Sequence, residues 1–401
     1  MKNTFYYISN GKMHRFDGAS SAEISSWVLD SYISKVRSRA EQNEWKYNGE
    51  GAAFTGGGIT RPGASEAVSS IFSRVNCLGE YKDAFLYSID IDSTNGIYRK
   101  SKEAESEGIV LCSSSTAYRS FDIKGDCLTA SAAFAGESHI GVLDIPSGRF
   151  SYYTEGHVRD TSPVWSMAEE NKIYFCSAGL PENDKQPEEE SAPRGISQIV
   201  DEMYSGTSTP LGPSSICLLD IKAGSLVDVL SDDKYNFTHP QSTSDGSLYY
   251  IRKPYKYNSG GNSFGCLADI FLLPVRLGQA LFGFLNVFSA KYSGKTLSRS
   301  DVKQRDEKQM FIDGNLINAA QELKENQRRG DKNPGIIPAN WELRCLDING
   351  QDTLVRRGVV AYRVDEETGD ILISNGSAIL RMDKNGNEEK LLAADSVTYI
   401  K

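Results

Sequence analysis

The chain has 401 residues, 39% hydrophobic and 24% charged, with 44 Lys and Arg against 53 Asp and Glu for a formal net charge of −9. That acidic balance argues against a general attraction to nucleic acid or anionic lipid, both of which require clustered cations, so no nucleic-acid partner is expected. The length allows two or three average domains or one large all-β domain, and 36 Gly with 20 Tyr favour strands joined by many turns.

The N-terminal MKNTFYYISNGKMHRF has no apolar h-region, so a cleaved signal peptide is not expected. Seven cysteines (Cys77, Cys112, Cys127, Cys176, Cys217, Cys266, Cys345) are odd in number, scattered, and form no CxxC pair. They read as reduced thiols in a cytoplasmic protein.

In chain order, six segments predict hairpins: 13–26 (MHRFDGASSAEISS), 96–114, 140–156 (IGVLDIPSGRFSYYTEG), 216–232 (ICLLDIKAGSLVDVLSD), 343–358 (LRCLDINGQDTLVRRG) and 378–395. The clearest three share an alternating apolar run, Leu-Asp-Ile, a turn containing Gly, and a second short strand. Each hairpin is preceded by another strand pair, at 70–90, 118–136, 162–179, 239–254 and 359–376. The remaining pair is split: SVTYIK supplies its first strand and TFYYISNG its second. Repeats in this fixed order predict an all-β six-bladed propeller, a single domain over 1–401, closed by N- and C-terminal strands in one blade. A β-sandwich or two smaller β-domains is the competing architecture, and GAAFTGG (51–57) leaves an additional incomplete blade open.

The segments SPVWSMAEENKIYF and HPQSTSDGSLYYI resemble the signature of TolB-like propellers: Pro, an aromatic residue, Ser, Asp-Gly, then Ile-Tyr-Phe. Asp245-Gly246 keep its Asp-Gly turn, whereas Ala168 to Asn171 do not. What the resemblance implies is a fold and a tendency to bind partners, not an activity.

Three insertions interrupt the repeat. The first, 28–50, is predicted helical, with Val28, Ile33 and Val36 spaced among Lys and Arg. The second, 180–213, carries the acidic run ENDKQPEEE, which reads as a solvated loop or as a surface for a basic partner or a cation. The third, 257–340, combines an apolar half with a charged half in which a helix near Asn315 to Arg329 ends at Gly330. In a blade the chain zigzags, so connections after the second and fourth strands leave on one face. All three insertions are expected there, where loops on a rigid scaffold concentrate binding residues.

Signatures of catalysis are sparse: GxxxxGK[ST], HExxH and CxxC are all missing from the sequence. TGGGIT (55–60) reads as a flexible loop rather than a phosphate cradle. His157 and His239 are expected just before the inner strands of consecutive blades. With Asp160, and with Arg357 or Asp395, they are the candidates for a lyase or hydrolase at the channel mouth, and His157, Asp160 and His239 for a metal site. Ordinary polar roles compete with that reading, and no cofactor is expected.

The stretch LADIFLLPVRLGQALFGFLNVFSA (267–290) is broken by Pro274 and carries Asp269 and Arg276, so a membrane span is not expected. After Pro274, helical spacing gathers Arg276, Gln279, Gly283 and Asn286 on one stripe and leaves the rest apolar. Such a helix must be covered: by the chain itself, including the Leu316, Ala319, Ala320 and Leu323 side of the following helix; by a second copy or a protein partner; or by a bilayer surface near Lys291, Lys295 and Arg299. The expectation is a non-catalytic binding protein whose anchor residues are Phe282, Phe284, Leu285 and Phe288, with Arg276 on the polar stripe. Catalysis at the channel mouth and peripheral membrane attachment are the alternatives.

Overall fold

The computed structural model describes residues 4–44, 73–91, 94–103, 106–180, 212–255, 309–312 and 315–401. Sheet I begins with β1 (Phe5–Ser9), β2 (Lys12–Phe16) and β3 (Ser21–Ile24); sheet II holds β4 (Ser73–Tyr81), β5 (Ala84–Ile91), β6 (Thr94–Ser101) and β7 (Glu107–Ser113). Sheet III holds β8 (Ala117–Lys124), β9 (Cys127–Phe134), β10 (Glu137–Asp144) and β11 (Arg149–Tyr152). Sheet IV holds β12 (Val158–Trp165), β13 (Lys172–Gly179), β14 (Ser215–Asp220) and β15 (Ser225–Leu230). Sheet V starts with β16 (Tyr235–Ser242) and β17 (Leu248–Pro254); a small ribbon of β18 (Gln309–Ile312) and β19 (Asn315–Asn318) intervenes, and β20 (Glu342–Leu346) and β21 (Asp352–Arg357) complete the sheet. Sheet VI holds β22 (Ala361–Val364), β23 (Ile371–Ser374), β24 (Ala378–Met382) and β25 (Glu388–Ala393). The last strand, β26 (Val397–Ile400), pairs antiparallel with β1 and gives sheet I the order β26-β1-β2-β3.

Each unit is thus a four-stranded antiparallel meander. The hairpins and strand pairs expected from the sequence all form, because alternating apolar residues and Gly-containing turns fix both period and register. Two inner strands start four residues earlier than the sequence suggests, at Val158 and Tyr235. Both continue through a bulge: the register shifts between Thr161 and Val164 in β12, and between Thr238 and Gln241 in β16, with Ser162 and His239 at φ of 52° and 55°. A bulge breaks the period-two pattern that marks a strand in sequence.

A sheet with two apolar faces must bury both, and here each core is shared by two consecutive sheets. Ile8 and Met13 of sheet I pack with Val75, Leu78 and Tyr87 of sheet II; Cys77 and Leu86 of sheet II pack with Phe121 and Leu128 of sheet III; Ile140 of sheet III packs with Ile173 and Phe175 of sheet IV. Cys176 and Ile216 of sheet IV then pack with Phe237 and Tyr250 of sheet V, Ile251 and Leu343 of sheet V with Val359 and with Ile373 of sheet VI, and Ile379 of sheet VI with Phe5 and Tyr7 of sheet I. Successive meanders stacked face to face, with the first strand of each at one common edge, make a β-propeller. Sheets III and IV also touch through a parallel pair, Ser138 with Arg159.

The first insertion begins as α1 (Trp27–Glu44), close to the helix expected at 28–50. Ser26 caps it, accepting from the Leu29 amide at 3.3 Å, and Glu107 of sheet II accepts from the Val28 amide at 3.2 Å. A carboxylate suits the positive end of a helix. Glu107 is itself held by Tyr87 and Lys100, each at 3.0 Å, so α1 is fixed to sheet II.

Helix α2 (Ala319–Arg328) starts later than the sequence predicts, because Asn315–Asn318 pairs as β19 and Asn318 then caps the helix by accepting from the Gln321 amide. Gly330, at φ 80°, lies just past its end, as expected. Its Ala319 and Leu323 pack on Ile317, Ile336, Ile337, Trp341 and Val360, and Asn326 donates to the Gly335 and Ile337 carbonyls at 2.9 Å. Ala319 and Leu323 on that face thus meet the propeller body, while Ala320 is exposed.

Gly141 of β10 makes room for an aromatic ring: a Cβ there would lie 2.3 Å from Cζ of Phe150. Gly141→Ala is expected to cost about 1–3 kcal/mol by overpacking, read as a lower urea midpoint.

Near the rim away from the insertions, Lys401 Nζ reaches Asp122 of β8 at 3.1 Å. Burial alone would raise the Asp122 carboxyl, but Lys401, the Trp165 amide and nearby Arg363 outweigh it and hold it below the usual 3.8. A lowered folded-state value contributes stability above the unfolded value, and that stability is lost as pH falls through the folded value. Urea midpoints compared at neutral pH and below the usual 3.8 should therefore fall more steeply for the natural chain than for Asp122→Asn.

Candidate functional site

The rim where second strands end and first strands begin carries most of the candidate residues. Asp160, in β12, is 1% exposed and fully engaged. Its carboxylate accepts from Thr154 Oγ1 at 2.6 Å and Ser177 Oγ at 2.7 Å, and its carbonyl accepts from Ser131 Oγ at 2.7 Å and Ser138 Oγ at 2.9 Å. Burial pushes the carboxyl up, against the two hydroxyls and His139. Its donors come from β9, β10, the segment after β11, and β13, so Asp160 ties sheet III to sheet IV. A carboxylate so enclosed is a structural tie rather than a free acid or base.

His157 precedes β12, as the sequence predicts, and its side chain is 77% exposed. It does not join Asp160. Its Nδ1 lies 2.6 Å from Glu137 Oε1, whose other oxygen is 3.6 Å from Nε2 of the buried His139. The nearby rings of Phe134 and Tyr152 continue this array along sheet III. Sequence reasoning passed over Glu137 and His139; their spacing of two along β10 puts them on one face, but only the packing of sheet III against the segment entering β12 brings His157 to them.

The other candidates are dispersed. His239 lies inside β16 at its bulge, not before the strand, and its carbonyl accepts from Tyr362 Oη at 2.6 Å. Arg357 is on β21, the outermost strand of sheet V, far from the strand edge that faces the axis; it pairs with Glu342 at 2.7 Å, beside Arg252 and Arg344 on the same carboxylate. Asp395 is exposed in the connection entering β26, and its carbonyl accepts from Ser9 Oγ at 2.6 Å. Among the described residues, no group of three or more His, Cys, Asp or Glu converges to hold a metal ion, and no helix is long and apolar enough to cross a membrane. Phe282, Phe284, Leu285, Phe288 and Arg276, together with ENDKQPEEE and TGGGIT, lie outside the described residues.

No protein-family model and no curated protein matches the chain. Among solved structures, the chain is similar to TolB from Acinetobacter baumannii, at TM-score 0.48 and 8% identity over 99% of this chain and 65% of that one. It is also similar to a prolyl endopeptidase, at TM-score 0.39 and 11% identity over 94% of this chain and 44% of the other. A third similarity is to a nidogen/laminin complex structure, at TM-score 0.46 and 6% identity over 99% of this chain and 97% of that one. The chain thus spans less than two thirds of the TolB and endopeptidase chains. The propeller assignment rests on the stacked meanders themselves.

Asp160→Ala would leave the Thr154 and Ser177 hydroxyl protons without their acceptor and should cost about 2–4 kcal/mol. Asp160→Asn should cost less, since rotatable hydroxyls can also accept from a carboxamide; chemical denaturation of both variants checks the order.

Proposed function

We propose that this chain is a non-catalytic binding protein, its six sheets closing as a six-bladed propeller in the cytoplasm, and that the insertion-bearing rim docks a protein partner or a second copy of itself. The observation that carries the reading is where the repeat is interrupted. The long departures follow β3, β13 and β17, the last strand of one sheet and the second strands of two others. In an alternating meander these connections leave on the same side, so the chain adds its non-repeating material to one rim of a rigid body. The chemistry at that rim supports binding over catalysis: the buried Asp160 carboxylate has a hydroxyl donor on each oxygen, and His239, Arg357 and Asp395 are dispersed.

The apolar residues of 275–288 supply the anchor in this reading, with Phe282, Phe284, Leu285 and Phe288 as the buried contacts. The double variant Phe284→Asp/Phe288→Asp should abolish self-association in light scattering, or partner capture in a pull-down, and leave the thermal midpoint of the propeller unchanged. An unaltered oligomeric state together with unaltered capture would sink the proposal. Metal content and substrate turnover of the purified protein test the enzymatic alternative, and vesicle flotation tests membrane attachment.

A further inference from the structure

The rim that carries the insertions also gathers arginines, in a chain where Asp and Glu outnumber Lys and Arg by 53 to 44. Across sheet V the register sets Arg252 of β17 opposite Glu342 of β20, and Glu342 opposite Arg357 of β21. Residues directly opposite on antiparallel strands share a face and interact, so the three form one row, with Arg344 two residues along β20 on the same face. The row lies at the insertion-bearing rim because β17 and β21 end there and β20 begins there: Glu342 is the first residue of its strand and Arg357 the last of its own.

Three guanidiniums share one carboxylate. Glu342 is 7% exposed, its Oε1 is 2.7 Å from Arg357 Nη1, and its Oε2 is 2.6 Å from Arg252 Nη2 and 3.0 Å from Arg344 Nη1. Arg344 also turns its Nε to Asp352 at 2.9 Å, so it is held between two carboxylates. The ion-paired group is therefore three cations to two anions. The charge left over resides on Arg252 and Arg357, which reach no second carboxylate among the described residues.

Both are placed to meet a further anion. The Arg357 side chain is 57% exposed on the outermost strand, so its fork is open to solvent. Arg252 is stacked on Tyr235, the first residue of β16 at the same rim, with Cζ 4.5 Å from the ring centroid. Stacking and ion pairing hold these guanidiniums in place, so less freedom is lost when a partner binds. Arg and Tyr are also the residue types on which interfaces concentrate affinity.

We propose that this corner of sheet V receives the acidic side chains of a protein partner, with Arg357 as the anchor, Arg252 beside it and Tyr235 as the flanking ring. This rests on the reading of the insertion-bearing rim as a docking surface and names the chemistry of what docks there: an Asp- or Glu-rich segment whose carboxylates take up the charge that Glu342 and Asp352 leave uncompensated.

Calorimetry on the full chain at low ionic strength, with a hexaglutamate peptide as the probe and inorganic phosphate as the comparison, tests this. Probe and chain are both acidic, so general electrostatics oppose the encounter and binding reports a local cationic site. A Kd below about 1 mM is expected for the peptide. Arg357→Gln should weaken binding about tenfold or more, the loss of one charge-assisted interaction, and Arg357→Lys should fall between. Arg381→Gln removes the same charge from the Arg381–Glu389 pair of sheet VI and should bind like the natural chain. Arg357→Gln should also melt like the natural chain, because Glu342 keeps Arg252 and Arg344. Hexaglutamate has no apolar group to meet residues 275–288, so its binding is read independently of the apolar anchor. No Kd below about 1 mM, equal binding by Arg357→Gln, an equal loss in Arg381→Gln, or phosphate bound as tightly as the peptide overturns the proposal.

Discussion

The pairing of β26 with β1 is the constraint on which the other sheets depend. The Tyr6 amide donates to the Lys401 carbonyl at 2.9 Å, and the Lys401 amide returns a bond to Tyr6 at 2.8 Å. This places Ile400 and Val397 in one core with Phe5, Tyr7 and Ile379, and Tyr399 against the cores of sheets I to III. Without β26, sheet I would lose its innermost strand, and the apolar faces of sheets VI and II would both lose a cover. Stability in a stacked array is a sum of neighbour interfaces, so a single strand that serves several interfaces has more influence than its four residues suggest.

The insertions matter because that body is rigid. Helix α1 is pinned through Ser26 and Glu107, and α2 through Asn326 and the Ile336–Ile337–Trp341 cluster. Both attachments use buried, hydrogen-bonded polar groups, which fix orientation better than apolar contact does. The departures from regular strand geometry follow the opposite logic. Bulges at Asn76, Arg119, Ser162 and His239 interrupt innermost strands where pairing on one side is already given up, so a side chain can be re-aimed there at small cost to the ladder.

Most of the fold was legible in the sequence. The Leu-Asp-Ile hairpins at 140–156, 216–232 and 343–358 formed as written, because period-two alternation and a Gly turn are local properties of the chain. The start of α2 was not legible: Asn315–Asn318 carries a helical pattern in sequence but pairs with Gln309–Ile312, and tertiary pairing overrode local preference. The candidate site was legible only in its parts. His157 was placed correctly before β12, yet its partner Glu137 sits 20 residues earlier in the sequence, across a hairpin.

What the sequence determined by itself was the meander, its repetition, and the points at which the repeat is interrupted, all set by spacing along one chain. What only the tertiary structure decided was which polar residues meet. Asp160 became a tie between sheets because four hydroxyl groups from three strands and a loop close on it. Arg119 became exposed at the axis because a register shift turned it out of the ladder. Such meetings depend on how separate sheets stack, and no periodicity within a single strand encodes that.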